Sequence, residues 1–494
     1  MGLSVDGLVT GMSTTDTIKQ LMQVEAIPQT ALKTKVGVQN KILSAYQSLN
    51  TRMSSLATAA KTLGSADTWG AVKATSSSSA AVVTASPGAA AGSLVFRVDT
   101  LVATQTTTFA EPVPPITSIS DADLSPVISG ADFYITLTDG SSWNVVPDDA
   151  SLQSVVDAIN DTTDAAYKAT IVQINPGEYT LQLTSKTAGA DGVFAHPTID
   201  LLGAALNTTE GTDAQITVGS DPLNEYQITS ATNTFADVIS GVTVTAVRAQ
   251  DADEAPITVG LAADVDGIAA KVQALVDSAN LALTEIASQT KIKSGDVAAG
   301  ALVGDSAIRR LGQQIVGAVS AGAAGLGYLD SLGGLGGLGS FQSVGVGLDR
   351  SGKLTFDKEK FTESYTADPT NTKDFFAKYT DENDVATDRK FEPGWHTATG
   401  LGRKLETVAL LASDGVSLPA DSTSPTKSKQ GLLEGLIQRR TDSISKLNDQ
   451  VSDWDVRLDL RMAKLQRQFS NLEVAMGKMK SQSSWLAGQL ATLS

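Results

Sequence analysis

Near its C-terminal end the chain carries Ile444, Leu447, Val451, Trp454, Leu458, Met462, Leu465, Phe469, Leu472, Met476 and Met479 at steps of three and four residues. That spacing draws one apolar line along a helix and reads as a coiled-coil seam. Two successive steps of four, on either side of Leu458, form a stutter that unwinds the supercoil locally. A single helix cannot bury such a line on itself, so the segment requires an apolar partner.

The other end of the chain supplies one. Leu32, Val36, Leu43, Tyr46, Leu49, Met53, Leu56, Ala60 and Leu63 recur at helical intervals. A helix from Pro28 to Leu63 would span roughly 54 Å at about 1.5 Å per residue. Ser13 and Asp16 stand three apart, as in a capping box, ahead of a shorter helix that Pro28 ends or restarts. Two uses of the seam stay open at this point. It is an ordinary intramolecular coiled coil, or its Met-rich distal part packs adaptably against changing partners.

With 494 residues, a length-based prior of about three domains applies. The net charge of −17 argues against nucleic acid or an anionic membrane as partner. That charge is unevenly placed: residues 98–270 hold 24 acidic and three basic side chains, whereas both ends are slightly basic. The centre reads as a solvated head and the ends as packing elements. There is no Cys, which excludes disulfides and thiolate chemistry. No cleavable export signal and no membrane span are expected from the residue pattern.

Between the ends, Phe133, Ile135 and Leu137 alternate with polar residues, and Asp139-Gly140 turns the chain toward Trp143 and Val145. Leu152, Val155, Val156 and Ile159 suit one helix face, and a second hairpin turns at Asn175-Pro176-Gly177, giving a ββαββ unit. A weaker echo spans 214–247, with strands around Ile216, Tyr226 and Val244 and a helical patch at 235–239. Helices follow after Asp264 and around Ile308–Val319, then a Gly-rich loop at 325–340, a hairpin at 344–356, a helix around Leu401–Leu411 and a linker at 413–430. The expected fold class is therefore a multidomain α+β chain: long terminal helices forming a coiled-coil stalk, a mainly helical domain, and two inserted β-rich head domains. The expected boundaries are 1–66 with 430–494 for the helical leg, 67–105 with 213–262 for an inner head, 106–212 for an outer head, and 263–429 for the helical core with its hairpin and linker.

No catalytic constellation emerges. Gly334, Gly336 and Gly339 satisfy a dinucleotide-binding spacing, but no apolar strand leads into them. Asp349, Ser351 and Asp357 misplace the glycine that a calcium loop needs. His196 and His396, the only two histidines, lie far apart and in no metal-ligand spacing. No enzyme activity, cofactor or metal is expected. A carbohydrate-binding adhesin or a glycosidase built on the β modules is the competing class.

Five stretches in order resemble one family. GLVTGMSTTDTIKQLMQVEAIPQTAL (7–32), GDSAIRRL (304–311), VGVGLDRSGKLTFDKEKF (344–361), GLGRKL (400–405) and MKSQSSWLAGQL (479–490) are similar to landmarks of the bacterial flagellar filament cap proteins, the hook-associated protein 2 (FliD) family. The ββαββ unit, ending in LTS at 183–185, resembles the IN motif of flagellins and hook-associated proteins. The resemblance implies an extracellular, homo-oligomeric ring, commonly pentameric in the family, at the distal tip of the flagellum. It also implies export by the flagellar type III system with a chaperone, and contacts to flagellin, the filament tip and other hook-associated proteins. Such a cap prevents flagellin leakage and promotes flagellin folding and polymerisation, with a secondary adhesion role in some members. The competing reading within this class is a flagellin-like or hook–filament junction protein. On the cap reading, the candidate seam and partner contacts are Leu32, Val36, Leu43, Tyr46, Met53 and Leu56, together with the C-terminal seam from Ile444 to Met479.

Overall fold

A computed structural model describes residues 13–110, 115–121, 126–130, 132–136, 142–163, 166–194, 202, 205–221, 223–323, 339–380, 390–418 and 427–491. His196, Gly334, Gly336, the Asp139-Gly140 turn and most of the Gly-rich loop lie outside the described residues.

Along the chain, α1 (Thr14–Glu25), α2 (Ile27–Gly64) and the single turn α3 (Ala66–Trp69) lead into β1 (Val72–Ser76), β2 (Ala81–Ala85), β3 (Gly92–Thr100) and β4 (Thr106–Phe109). Next come β5 (Phe133–Thr136), β6 (Ser142–Val145), α4 (Leu152–Asp161), β7 (Tyr167–Asn175), β8 (Glu178–Ser185) and β9 (Ala205–Thr209). The strands continue with β10 (Ala214–Val218), β11 (Tyr226–Ser230), β12 (Thr234–Ile239), β13 (Val242–Ala246) and β14 (Ile257–Ala263). Then follow α5 (Val265–Thr290), α6 (Ser306–Ser320), β15 (Val346–Leu348), β16 (Leu354–Phe356), α7 (Lys358–Ala367) and α8 (Pro369–Ala377). The chain closes with β17 (Tyr379–Thr380), β18 (Thr397–Ala398), α9 (Leu401–Ala412), β19 (Val416–Leu418), β20 (Lys427–Lys429) and α10 (Leu432–Ala491). Mixed α+β architecture with long helices toward both ends is thus what the patterning specified. Two compact units result, one from 66–268 and one from 1–65 with 269–494.

Within 66–268, the antiparallel sheet β1-β14-β3-β10-β11 and the sheet β12-β13-β2 share one core. Phe96, Val98, Ile216, Phe235, Val244 and Val259 alternate inward, as strands with one buried face require. Between β3 and β10 the chain departs and returns through β4 and β9, which pair with each other. They join β7 and β8 in a second sheet, whose own core takes in Leu152, Val155 and Ile159 of α4 with Tyr167, Leu181 and Phe194. The ββαββ order holds in full. Asn160 of α4 clamps β7 by giving its amide to the Ala169 carbonyl (3.0 Å) and accepting the Ala169 N–H (2.9 Å).

Two expectations need correction. Residues 235–239 are not helical: they belong to β12, so the echo of ββαββ is purely β. The pairing of β12 with β13 shifts register between Phe235 and Ile239, where Asp237 takes a φ of +52° and accepts the Gly241 N–H at 3.0 Å. This bulge puts apolar residues four apart and so imitates a helical step. The supposed linker at 413–430 is also more than a linker, because its two ends pair as β19 and β20. Gly415, at φ +87°, admits the turn that starts this pairing.

In the other unit, α2, α5, α6, α8 and α9 gather buried apolar faces, with the β15–β16 hairpin beside them. Asp305 caps α6, and Asp357 and Asp368 cap α7 and α8, each carboxylate accepting a first-turn N–H that the helix cannot satisfy itself. No described helix is long and apolar enough to cross a membrane.

Candidate functional site

The candidate site is the stalk. With 60 residues, α10 is about 90 Å long. It runs antiparallel to α1 and α2, as three polar ties establish. Arg440 donates to Gln39 Oε1 at 2.8 Å, Gln29 donates to Asp455, and Arg461 pairs with Glu25 at 3.1 Å. Ser13 begins α1 by accepting the Asp16 N–H at 3.3 Å, while its hydroxyl donates to the Asp16 carboxylate at 2.6 Å. Ala26 separates α1 from α2, and Pro28 stands in the first turn of α2, where its missing N–H costs nothing.

The seam residues divide into three groups. Tyr46, Met53 and Leu56 are fully buried on α2, a helix that packs on both α9 and α10. The Tyr46 hydroxyl donates to Asp305 Oδ2 at 2.8 Å. Leu32, Val36 and Leu43 on α2, and Ile444, Leu447, Val451, Trp454 and Leu458 on α10, are half-buried. Here a two-helix interface leaves each residue one open side, and a groove of 390 Å³ runs past Pro28, Leu32 and Trp454, with Arg457 stacked over the Trp454 ring at 5.5 Å. Leu465 is 8% exposed and Phe469 half-buried, but Leu472 is 49% exposed and Met462, Met476 and Met479 are also exposed.

From Leu472 onward, therefore, the apolar line of α10 continues in solvent. Trp485 (65% exposed), Leu486 and Leu490 extend it toward the end of α10. Val474 and Val456, exposed apolar residues off the regular seam, were not picked out from the spacing because they break the three-four rhythm. An exposed line of this kind can bind apolar surfaces, and the softness of Met and the breadth of Trp suit varied shapes.

Electrostatically the stalk base is a tied network. Burial first, then the hydrogen bond and charge of Asp305, hold the Tyr46 hydroxyl above its ordinary ionisation range, while Arg440 opposes the shift. Among the described residues no group of three or more His, Asp or Glu is placed to hold a metal ion. His396 is buried, accepts the Glu392 N–H on Nδ1 at 2.9 Å and packs against Tyr379 and Phe391. Asp349 spends its carboxylate on the N–H groups of Ser351 and Lys353, closing the β15–β16 turn.

Comparison with known proteins agrees with this architecture. Residues 211–481 match the family described as flagellar hook-associated protein 2 C-terminus, and residues 10–105 match its N-terminus. The flagellar hook-associated protein 2 of Escherichia coli K12 is 25% identical, covering 98% of this chain and 97% of that protein. The lateral flagellar hook-associated protein 2 of Vibrio parahaemolyticus is 27% identical over 46% of this chain and 48% of its own length. In fold, the D1-D2-D3 domains of the Escherichia coli flagellar cap protein FliD superpose with a TM-score of 0.53 at 21% identity, covering 80% of this chain and 99% of that one. Because the C-terminal family match alone takes in residues 211–481, more than half of the 494 residues, and the N-terminal match covers 10–105, the chain belongs to the flagellar hook-associated protein 2 family.

Proposed function

We propose that this chain caps the growing flagellar filament as a homo-oligomeric ring at its distal end, and that the exposed distal line of α10 is the surface that grips filament subunits. The observation that carries this reading is the change along one helix, from Leu465 under cover to Leu472, Met476, Met479 and Trp485 in solvent. A helix covered only by its own chain would keep its apolar line buried along its length. Leu472, Val474, Met476, Met479, Trp485, Leu486 and Leu490, seven exposed apolar side chains, have a purpose only if something else covers them.

On this reading the leg takes 1–66 and 430–494, the helical core 263–429, the inner head 67–105 with 213–262, and the outer head 106–212. The heads form a plate over the channel, and the legs seat on the filament. Flagellin emerging beneath the plate is confined there, and confinement raises its local concentration at the growth point while it folds. No bond is made or broken by the cap, so proximity and exclusion suffice. Delivery runs through the flagellar export channel with a chaperone, and the absence of Cys in the sequence spares the unfolded chain disulfide traps.

Filament growth in a cap-deficient strain tests the reading. The full chain should restore filaments and stop flagellin from accumulating in the medium. A chain truncated after Lys480 should be exported and folded but restore neither. Normal filaments from the truncated chain would refute the role assigned to the distal stalk. Electron micrographs of the full chain with flagellin should show annular plates with downward legs.

A further inference from the structure

We propose that Leu223, between β10 and β11 of one copy, docks into the groove between α5, α6 and the β15–β16 hairpin of the next copy, closing the ring by head-to-tail contacts. The inference rests on the capping reading and names the surface that reading leaves open.

The groove has a volume of 620 Å³. Leu283, Ile286 and Val316 line it, and Arg309 and Lys353 stand on its rim. Two glycines of α6 shape it. At Gly312 a Cβ would meet Ile286 Cγ2 at 3.3 Å, so its absence lets α5 and α6 approach. At Gly317 a Cβ would meet nothing within 4 Å, so the groove is open there. An apolar trough with a cationic rim fits an apolar knob flanked by carboxylates.

Such a knob exists on the other unit. Leu223 is 91% exposed, the largest exposure among the described large apolar side chains. It is also held in place. Asp221 Oδ1 accepts the Leu223 N–H at 3.1 Å, Asp221 Oδ2 accepts the Asn224 side-chain amide at 2.8 Å, and the Asp221 carbonyl accepts the Asn224 N–H at 2.8 Å. A side chain whose own backbone N–H is already bonded loses little further freedom on docking. Asp221 and Glu225 flank it, and exposed Tyr226 follows.

Charge selects which surfaces meet. Residues 66–268 hold 25 Asp or Glu against 5 Lys or Arg, whereas the rest of the chain holds 29 against 32. Contact between two copies of the acidic unit is repulsive, while contact between unlike units is attractive. A contact between two different patches is heterologous, and heterologous contacts close into rings when the rotation allows.

Because the chain has no Cys, engineered thiols report the contact without background. Leu223→Cys protein mixed with Gly317→Cys protein and oxidised should give a mixed disulfide dimer at least about tenfold above a Leu223→Cys and Gln314→Cys mixture, since Gln314 lies outside the groove. Independently, Leu223→Asp, or Arg309→Glu with Lys353→Glu, should raise the concentration needed for ring assembly about tenfold or more, and Glu225→Arg should recover part of the loss in the Arg309/Lys353 background. Control-level disulfide and unshifted assembly, with the wild-type chain still forming annular plates, would overturn this contact and leave the cap standing. A wild-type chain that never assembles would overturn both.

Discussion

Tyr46 and Asp305 join α2 to the first turn of α6 through a 2.8 Å hydrogen bond, and the same carboxylate caps α6 through the N–H groups of Ala307 (3.0 Å) and Ile308 (3.3 Å). One side chain thus anchors the base of the stalk to the helical core. Tyr46→Phe removes a single donor to a charged acceptor and should cost about 1.5 kcal/mol. Asp305→Ala removes the cap as well and strands the buried hydroxyl, so it should cost about 3 kcal/mol. Urea unfolding at unchanged m-value measures both, and equal losses would show that the cap contributes nothing. The raised Tyr46 ionisation has a sign. Its stabilising effect is complete below pH 10.0, the ordinary tyrosine value, and is lost as pH rises through the higher folded value. Tyr46→Phe should lack that part of the alkaline decline.

Arg403 is the second anchor. Its guanidinium pairs with Glu406 at 2.8 Å, donates to the Gly64 carbonyl at the end of α2 and lies 4.4 Å from the centre of the Phe391 ring. Glu406 is 3% exposed, so Arg403→Ala would leave a buried carboxylate without its partner and should cost about 3–5 kcal/mol. Gly64→Ala should act through the same group, because its Cβ would stand 2.3 Å from the guanidinium carbon. Burial raises the Glu406 carboxyl above its ordinary range, against the opposing pull of Arg403. Its contribution is therefore present below about pH 4.5 and lost as pH rises through the folded value. Glu406→Gln should flatten stability between mildly acidic and neutral pH relative to the wild type. A Glu406→Gln profile parallel to the wild type would contradict the assignment.

Asn280 on α5 grips the strand β16 from the side. Its amide donates to the Leu354 carbonyl and its oxygen accepts the Leu354 N–H, both at 2.8 Å. The side chain satisfies the backbone of a short strand that has one neighbour among the described strands. Asn280→Ala should cost about 2 kcal/mol and speed hydrogen exchange at the Leu354 amide, while exchange in β13 stays unchanged. Unaltered exchange at Leu354 would mean that the hairpin holds without the clamp.

What could be read from the sequence followed periodicity. The helices bearing Leu152–Ile159, Ile308–Val319 and Leu401–Leu411 carry uninterrupted three-four spacing and lie where that spacing put them. β12 escaped because a bulge at Asp237 broke the two-residue alternation. α7 and α8 escaped because short helices with few apolar positions, Phe361 and Tyr365 or Phe375 and Phe376, leave little pattern; their Asp357 and Asp368 caps, the latter followed by Pro369, were the available signal. In the stalk the seam itself was legible, but periodicity is indifferent to what covers it. Tyr46, Met53 and Leu56 share the rhythm of Leu32 and Val36, yet they are fully buried where α2 has further neighbours, such as Asp305 of the α6 cap beside Tyr46, a difference of tertiary partners that spacing does not encode.

The cover along α10 predicts a separation of folding from function. Leu465 is buried at 8% exposure, so Leu465→Ala should remove about 2 kcal/mol of stability and loosen the α1 contact. Leu472, at 49% exposure, makes less of its contact within the chain, so Leu472→Ala should change stability by less than about 0.5 kcal/mol. Under the capping reading the order reverses for assembly. Substituting Leu472, Met479 and Trp485 together by Ser should leave thermal unfolding in place yet abolish filament growth, because those side chains meet the filament and not the chain itself. Calorimetry with a filament-length assay separates the two. Parallel losses of melting temperature and growth would mean that the distal residues pack inside the molecule, and normal growth with normal stability would remove them from the contact surface.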